Sequence, residues 1–377
     1  MNLRRTKAVA RKECLHILRD PRSLVAALAM PLLLLLMFSY ALSLDVDRIP
    51  THIYDEDKSP QSRALVDLFR GSRYFQVLST ADNYASIERG IDQSRILLAV
   101  VIPGDYSRNL AAGRDANVQI LIDGSDSNTA SIALSYAQAL VQAYASGLRS
   151  SAQNRKMGGT FKTPVELRIR ALYNNDMKSR NYIVPGLIAV ILMIISALLT
   201  SLTIAREWET GTMEQLLSTP VRPAELVLGK LSAFFMVGLA DMLISIAMGV
   251  LIFRVPLRGS PLFLFFTSCV FLFGALCWGI LVSAAARSQL LAYQVGMITS
   301  FLPAFLLSGF IYAIENMPWV VQVVTHIVPA RYFVTILKGI FLKGADIQIL
   351  WGEVAFLIAY AGIVFLAATR KLRQKVA

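Results

Sequence analysis

Six stretches of the chain are apolar over about twenty residues, the length a helix needs to cross roughly 30 Å of hydrocarbon. They cover residues 24–44, 182–205, 226–253, 261–285, 290–313 and 349–368. A segment in hydrocarbon must satisfy its own backbone polar groups, so each is expected to be a helix. The first run exceeds the roughly 7–15 residues of a leader peptide's apolar core, and a basic arm, residues 1–23, precedes it; it reads as an uncleaved anchor.

Between the first two runs, residues 45–181 switch to short alternating patterns. THIYD, YFQVLS, RILLAVVI, NVQILID and VELRIRALY read as strands. SRALVDLF, NYASIERGI, YSRNLAAG and SIALSYAQALVQAYASGL read as the helices between them, and SSAQNRKMGGT (150–160) as a loop. Alternation of this kind predicts a small α/β domain. The segment carries 17 Lys and Arg against 15 Asp and Glu, a nearly neutral balance suited to water.

Two further segments have helical periods. In residues 4–19, Ala10, Cys14 and Ile17 share a side with Leu3, while Arg4, Lys7, Arg11, Lys12 and Arg19 lie opposite. A basic amphipathic helix before a span lies along anionic headgroups, either as a topology signal alone or also touching a partner. In residues 206–219, Met213, Leu216 and Leu217 share one face; Glu207, Thr210, Gly211 and Glu214 share the other. STP and RP then stop the helix, because proline fixes φ and lacks a donor. An acidic face, a tight break and immediate re-entry into the membrane point to coupling with a partner rather than to a solvated loop.

Composition agrees. Of 377 residues, 55% are hydrophobic and 16% charged, against roughly 25% charged in soluble domains. Mean hydropathy is +0.54. The net charge of +12 is read as cytoplasmic loop charge, not as a nucleic-acid footprint. The basic arm and the tail 370–377 place both termini in the cytoplasm. Lys178 and Arg180, just outside the second span, oppose this and are outweighed by the two ends. The 45–181 insertion is then extracytoplasmic. The three cysteines avoid that insertion, so no disulfide framework is implied.

Chemical motifs are missing. The one Gly-Lys pair, Gly229–Lys230, has Ala224 where a phosphate loop needs glycine. The three histidines are each followed by Ile, which excludes H-E-x-x-H, and G-x-S-x-G does not occur. No catalytic, cofactor or metal residue is therefore nominated. Asp241 is the clearest charge inside a span, roughly 20 Å along the third. It reads equally as a polar group of a wet cavity and as a carboxyl holding neighbouring helices together.

REWETGTMEQLLSTP followed by L-x-G-K resembles the signature of ABC-2 type transporter permeases. A second match runs through SAAARSQ, SGFIYAIENMPWVVQ, PARYF and KGIFLKG, and the large insertion after the first of six spans fits the drug-efflux members. One departure is Ala313, where relatives often have proline. The resemblance implies a polytopic α-helical membrane protein of six transmembrane helices, like a type V exporter, with an inserted α/β extracytoplasmic domain. It implies the permease subunit of an ATP-binding-cassette exporter moving drug-like or lipophilic cargo from a cell inner membrane. It also implies two separate ATPase subunits that bind ATP and Mg, a second permease copy or paralogue, and room for a periplasmic adaptor. Residues 206–219 map onto the coupling helix through Glu207, Glu209, Gly211, Thr212 and Glu214, with Arg287 in the next cytoplasmic turn. The arm maps onto the elbow helix. The second and fifth spans become a pathway, with Thr200, Tyr293, Gln294 and Ser300 as candidates beside Asp241. Residues 315–325 become an outer re-entrant element with Pro318 and Trp319 as a candidate gate. From the residues alone, a membrane-anchored receptor with an external ligand-binding domain is the alternative.

Overall fold

The computed structural model describes residues 2–41, 47–80, 83–157, 173, 178–286 and 288–376. The chain divides into two compact units, Leu44–Arg170 and Met1–Ser43 with Ala171–Ala377.

The larger unit begins with α1 (Leu3–Arg19), capped by the Asn2 side chain, which accepts from the Arg4 amide. The chain turns at Asp20 and enters α2 (Pro21–Ala41), whose apolar part is Ala27–Ala41. Proline at the first helical position costs nothing there because its missing N–H would be unpaired anyway.

The smaller unit holds β1 (Ile49–Asp55), α3 (Pro60–Gly71), β2 (Phe75–Thr80), α4 (Tyr84–Asp92), β3 (Leu98–Ile102), α5 (Tyr106–Ala111), β4 (Gln119–Ile122) and α6 (Ser127–Met157). The sheet order is β2-β1-β3-β4; β1 runs parallel to both neighbours and β4 antiparallel to β3. Every residue of β3 is buried, as a strand covered on both faces must be. Leu98, Val100 and Ile102 join Ile53, Leu65 and Phe69 on one face; Ala99 and Val101 join Ile87 and Ile96 on the other. The stretch 150–160, expected as a loop, is helical as far as Met157. The strand expected at 165–173 lies, save Tyr173, outside the described residues.

The larger unit resumes with α7 (Ser179–Glu209), α8 (Thr212–Leu217), α9 (Pro223–Leu251), α10 (Pro261–Ala285) and α11 (Gln289–Leu306). A 3-10 turn, Ile314–Asn316, leads to α12 (Trp319–Thr325) and α13 (Pro329–Lys338); a π turn, Gly339–Lys343, precedes α14 (Ile347–Val376). Among the described residues, five helices are long and apolar enough to cross a membrane: α7, α9, α10, α11 and α14. The sixth candidate is a pair, α12 and α13 with its π turn, bent by 84°. Helix α7 is the centre of the unit, with Val184, Leu187, Ile188 and Leu192 buried. The fifth apolar run was expected to stay helical to residue 313, but α11 stops at Leu306. Pro303 removes one ladder bond, and Gly309 takes φ +74°, a turn conformation.

Candidate functional site

The segment after the second long helix is two helices rather than one. Helix α7 carries through Arg206, Glu207 and Glu209, then Gly211 adopts φ +71° and α8 starts at Thr212. The expected single face of Glu207, Thr210, Gly211 and Glu214 is therefore broken. Thr210, Gly211 and Glu214 are exposed, whereas Glu207 belongs to the last turn of α7 and is only 7% exposed. Thr212 hydroxyl lies 3.0 Å from that of Thr210 and bridges the turn. Met213 is buried and Leu216 packs beside it in the cluster around Ile204, Val227 and Leu276; the Leu217 side chain lies outside what the structure describes.

Glu207 points into a square of charge with three buried corners and a half-exposed fourth, Lys12. Lys230 Nζ lies 2.9 Å from Glu207 Oε1 and 2.9 Å from Glu13 Oε1. Lys12 Nζ donates to Glu207 Oε1 at 3.0 Å and sits 3.7 Å from Glu13 Oε1. Lys230 is 1% and Glu13 6% exposed. Two cations and two anions cancel, which lets charge stay buried that would otherwise be prohibitively costly. Burial pulls the Lys12 ammonium downward, but the hydrogen bond and charge of Glu207, with Glu13 behind it, hold it above the ordinary lysine value.

The square joins α1, the end of α7 and the start of α9. Other contacts complete the layer. The Asn2 amide donates to Glu225 Oε1 at 2.6 Å, and the Arg222 amide to Glu225 Oε2 at 3.1 Å. Arg5 Nη1 donates to the Pro220 carbonyl. The amide and side-chain nitrogen of Gln289, first residue of α11, both donate to Glu209, the amide at 2.7 Å. Arg206 Nε donates to Gln289 Oε1 at 3.3 Å. A Cβ on Gly229 would lie 2.6 Å from Val9 Cβ and 3.0 Å from the Thr6 carbonyl, so glycine there is what lets α1 lie on α9. Arg287, expected in the same layer, lies outside the described residues.

Thr200 Oγ1 donates to the Leu276 carbonyl of α10 at 2.9 Å and to Ser196 O at 3.0 Å, a helix-packing role. Ser300 is buried and donates to Gly296 O at 2.6 Å; Tyr293 and Gln294 are exposed on α11. Asp241 is buried in α9, and its Oδ1 has no hydrogen-bond partner among the described residues; the buried hydroxyls of Ser245 and Ser268 have none either.

A family model described as "ABC-2 family transporter protein" matches residues 22–370. The chain belongs to the ABC-2 transporter family. It is 38% identical over 377 residues to the probable multidrug ABC transporter permease YbhS of Escherichia coli strain K12, covering 99% of this chain and 98% of that protein. It is 32% identical to the probable multidrug ABC transporter permease YbhR of the same strain, over 97% of each. ABC transporter G family member 20 of Dictyostelium discoideum is 24% identical over 205 residues, 54% of this chain and 28% of that one.

In this ABC-2 chain the segment after α11 forms a bent pair. Trp319 opens α12 and is 76% exposed, and Pro318 sets its first turn. Thr325 Oγ1 accepts from Arg331 Nη1 at 2.6 Å across the bend. Lys338 Nζ donates to the Gly309 carbonyl at 2.9 Å and lies 3.4 Å above the Tyr182 ring. Sequence reasoning did not single out Lys12, Glu13 or Lys230 as a set. Two signals were present: Glu13 falls on the apolar side of the arm with Ala10 and Ile17, and Lys230 interrupts a helix otherwise apolar enough to cross a membrane.

The turn at Gly211 carries its own prediction. A Cβ there meets nothing within 4 Å, so only the left-handed backbone resists substitution. Gly211→Ala should cost about 1–2 kcal/mol locally and leave the bundle assembled. A melting temperature close to wild type with weaker transport is the expected pair of results; a wholesale loss of folded protein would contradict it.

Proposed function

We propose that this permease is half of an ATP-driven exporter, that its polar layer is where two separate ATP-binding-cassette ATPases take hold, and that its cargo is lipophilic. The reading rests chiefly on the square Lys12–Glu207–Lys230–Glu13, buried at all corners but Lys12. It locks the arm, the end of the central helix α7 and the start of α9 into one body directly behind the exposed turn Thr210–Glu214. A push on that turn reaches α7 through fixed ion pairs rather than through a compliant loop. Packed helices respond to such a push by rigid-body tilt, which requires an interface with two arrangements, here one with a second permease copy or paralogue.

The division of roles among the acids follows. Glu214, with Thr210 and Gly211, faces the ATPase; Glu207 transmits; Glu209 fastens the turn to α11 through Gln289. ATP and Mg sit on the partner, and this chain holds no cofactor. In this reading the protein is a six-span inner-membrane protein with both termini cytoplasmic. Its α/β unit stands outside, as a substrate receiver or a dock for a periplasmic adaptor, and α12 with Pro318 and Trp319 closes the outer end. Thr200, Tyr293, Gln294 and Ser300 lie on the two helices, α7 and α11, that would flank the route, with Asp241 on α9.

Glu214→Lys tests the reading. Retention of the ATPase on immobilised permease should fall about tenfold, equivalent to roughly 1.4 kcal/mol, and ATP turnover stimulated by lipophilic compounds should fall with it. Wild-type retention and turnover would remove this turn from the ATPase interface.

A further inference from the structure

Helix α7 carries charge at both ends. Glu207 sits in the ion square at one end; Tyr182 stands in the first turn at the other, roughly 37 Å away along an ideal helix. There three elements meet on one atom, the carbonyl oxygen of Gly309. The Tyr182 hydroxyl donates to it at 3.1 Å from α7, and Lys338 Nζ donates to it at 2.9 Å from the end of α13. The Lys338 ammonium also lies 3.4 Å above the Tyr182 ring, so cation and ring hold one another while both hold the carbonyl. The turn they hold is the one that follows α11. Gly309 takes φ +74°, and the buried Phe310 seats on α7 where a Cβ on Gly186 would fall 2.4 Å from its ring.

Beyond Lys338 the chain enters the π turn, whose Ile340 and Phe341 carbonyls accept from the Gly259 and Arg258 amides at 2.9 and 3.2 Å. Backbone bonds therefore fasten this end of the bent pair to the loop between α9 and α10, while a side chain fastens it to α7 and the Gly309 turn. That side-chain clamp is built to release, and the square at the far end of α7 is not. Opening the square strands buried charges. Among the described residues no carboxylate pairs with Lys338 at ion-pair distance, so letting go strands no counter-ion. Lys338 is only half-buried, and its flexible stem lets the ammonium turn to water. Pro185, three residues past Tyr182, gives the α7 ladder one bond fewer, so the first turn of α7 moves at lower cost than the rest. A cation without an acid is a costly way to fill a joint that an apolar side chain would pack, which argues for a role in motion rather than in stability.

We infer that Lys338 is the positioning residue of the outer gate: with Tyr182 it pins the Gly309 turn on α7 in the closed state, and a tilt of α7 opens this end by drawing Tyr182 off the Gly309 carbonyl and freeing Lys338. The inference deepens the exporter reading and rests on it for the tilt and for which end is outside, but not for the clamp itself.

The test follows thiol accessibility in full-length permease in lipid nanodiscs without any ATPase. Ser308, beside Gly309, is 2% exposed, and its hydroxyl has no hydrogen-bond partner among the described residues, so Ser308→Cys sets a thiol under the turn at no loss of a bond. Ser268→Cys in α10 is the matched control, at a serine 0% exposed and again without a partner among the described residues. The reagent is trimethylammonioethyl methanethiosulfonate, a charged compound that reaches a buried thiol only while it is open to water, so its rate follows the open population. The chain without an added thiol gives the background from Cys14, Cys269 and Cys277. Lys338→Met should speed labelling of Ser308→Cys about tenfold, and Tyr182→Leu, which strips ring and hydroxyl from the α7 side, by about as much. Lys338→Arg, which keeps a cation for the ring and a donor for the carbonyl, should stay within about threefold of the parent. Ser268→Cys should label equally slowly in every background. An unchanged rate at Ser308→Cys with either Lys338→Met or Tyr182→Leu overturns the inference. So does equal acceleration at Ser268→Cys, which would mean general loosening, and so does Lys338→Arg labelling as fast as Lys338→Met, which would mean that packing and not charge holds the turn. Failure of the ATPase to bind this chain would instead sink the exporter reading and leave these rates as they are.

Discussion

Lys230→Met is expected to be among the most damaging single substitutions in this chain, lowering stability by about 3–5 kcal/mol. Lys230 is 1% exposed and neutralises two carboxylates at once, each at 2.9 Å. Methionine fills the space but removes the charge, leaving Glu13 and Glu207 buried with the half-exposed Lys12 as their one remaining cation. Breaking a buried pair by deleting one partner costs far more than the pair itself contributes, because the survivor keeps its desolvation penalty. The check is thermal unfolding of the detergent-solubilised permease. Wild-type melting would show that water reaches the square freely. Restoring neutrality should restore much of the loss, so Lys230→Met with Glu13→Gln should melt above Lys230→Met alone. Additive losses in that double variant would show that the two groups do not interact. Lys230→Arg should be milder than either, since charge is kept and only fit is lost.

Two of the three helices that this square joins, α7 and α9, were readable from hydropathy, because a twenty-residue apolar run has few alternatives to a helix; α1 was readable from its amphipathic period. Helices α7, α9, α10 and α14 lie on the runs that mark them. Their ends were less readable. Hydropathy continues to residue 313, whereas the backbone leaves the helix after Leu306, ahead of Gly309 at φ +74°. The same blindness to backbone sign merged residues 206–219 into one helix: counting at 100° per residue is correct only while φ stays negative, and Gly211 reverses it. That single reversal turned Glu207 inward and left Glu214 outside. The square itself was hidden for another reason. Its partners are 195 and 217 residues apart, so no local period connects them. Only an acid on an apolar stripe and a lysine in an apolar helix hinted at it, and each is a one-residue signal.

Gly279→Ala should also destabilise the bundle, although it adds a single methyl group and is a change that usually helps a helix. In a helix the change from glycine to alanine normally gains about 1 kcal/mol. At Gly279 of α10 the new Cβ would fall 2.0 Å from Thr200 Oγ1 and 2.3 Å from the Ala197 carbonyl oxygen. Thr200 can turn aside by giving up its bond to Leu276 O, but a backbone oxygen of the central helix moves only if α7 moves. The two helices must separate, and one turn further along Ser283 Oγ accepts from the Ile204 and Ala205 amides, both at 2.9 Å, bonds that a separation stretches. Overpacking of this kind costs about 1–3 kcal/mol and occasionally more, which outweighs the helix gain. A net loss of up to about 2 kcal/mol is the expected result, read as a lower melting temperature and less monodisperse protein after heating. Gly352→Ala is the control. It sits in α14 with nothing within 4 Å of its Cβ, so the helix gain stands alone and melting should stay level or rise. If both variants behave alike, the close approach of α7 and α10 is not what fixes the bundle. If they diverge as stated, α7 is clamped to α10 at Gly279, and the tilt proposed to start from the turn at Gly211 would have to move the two helices as a pair.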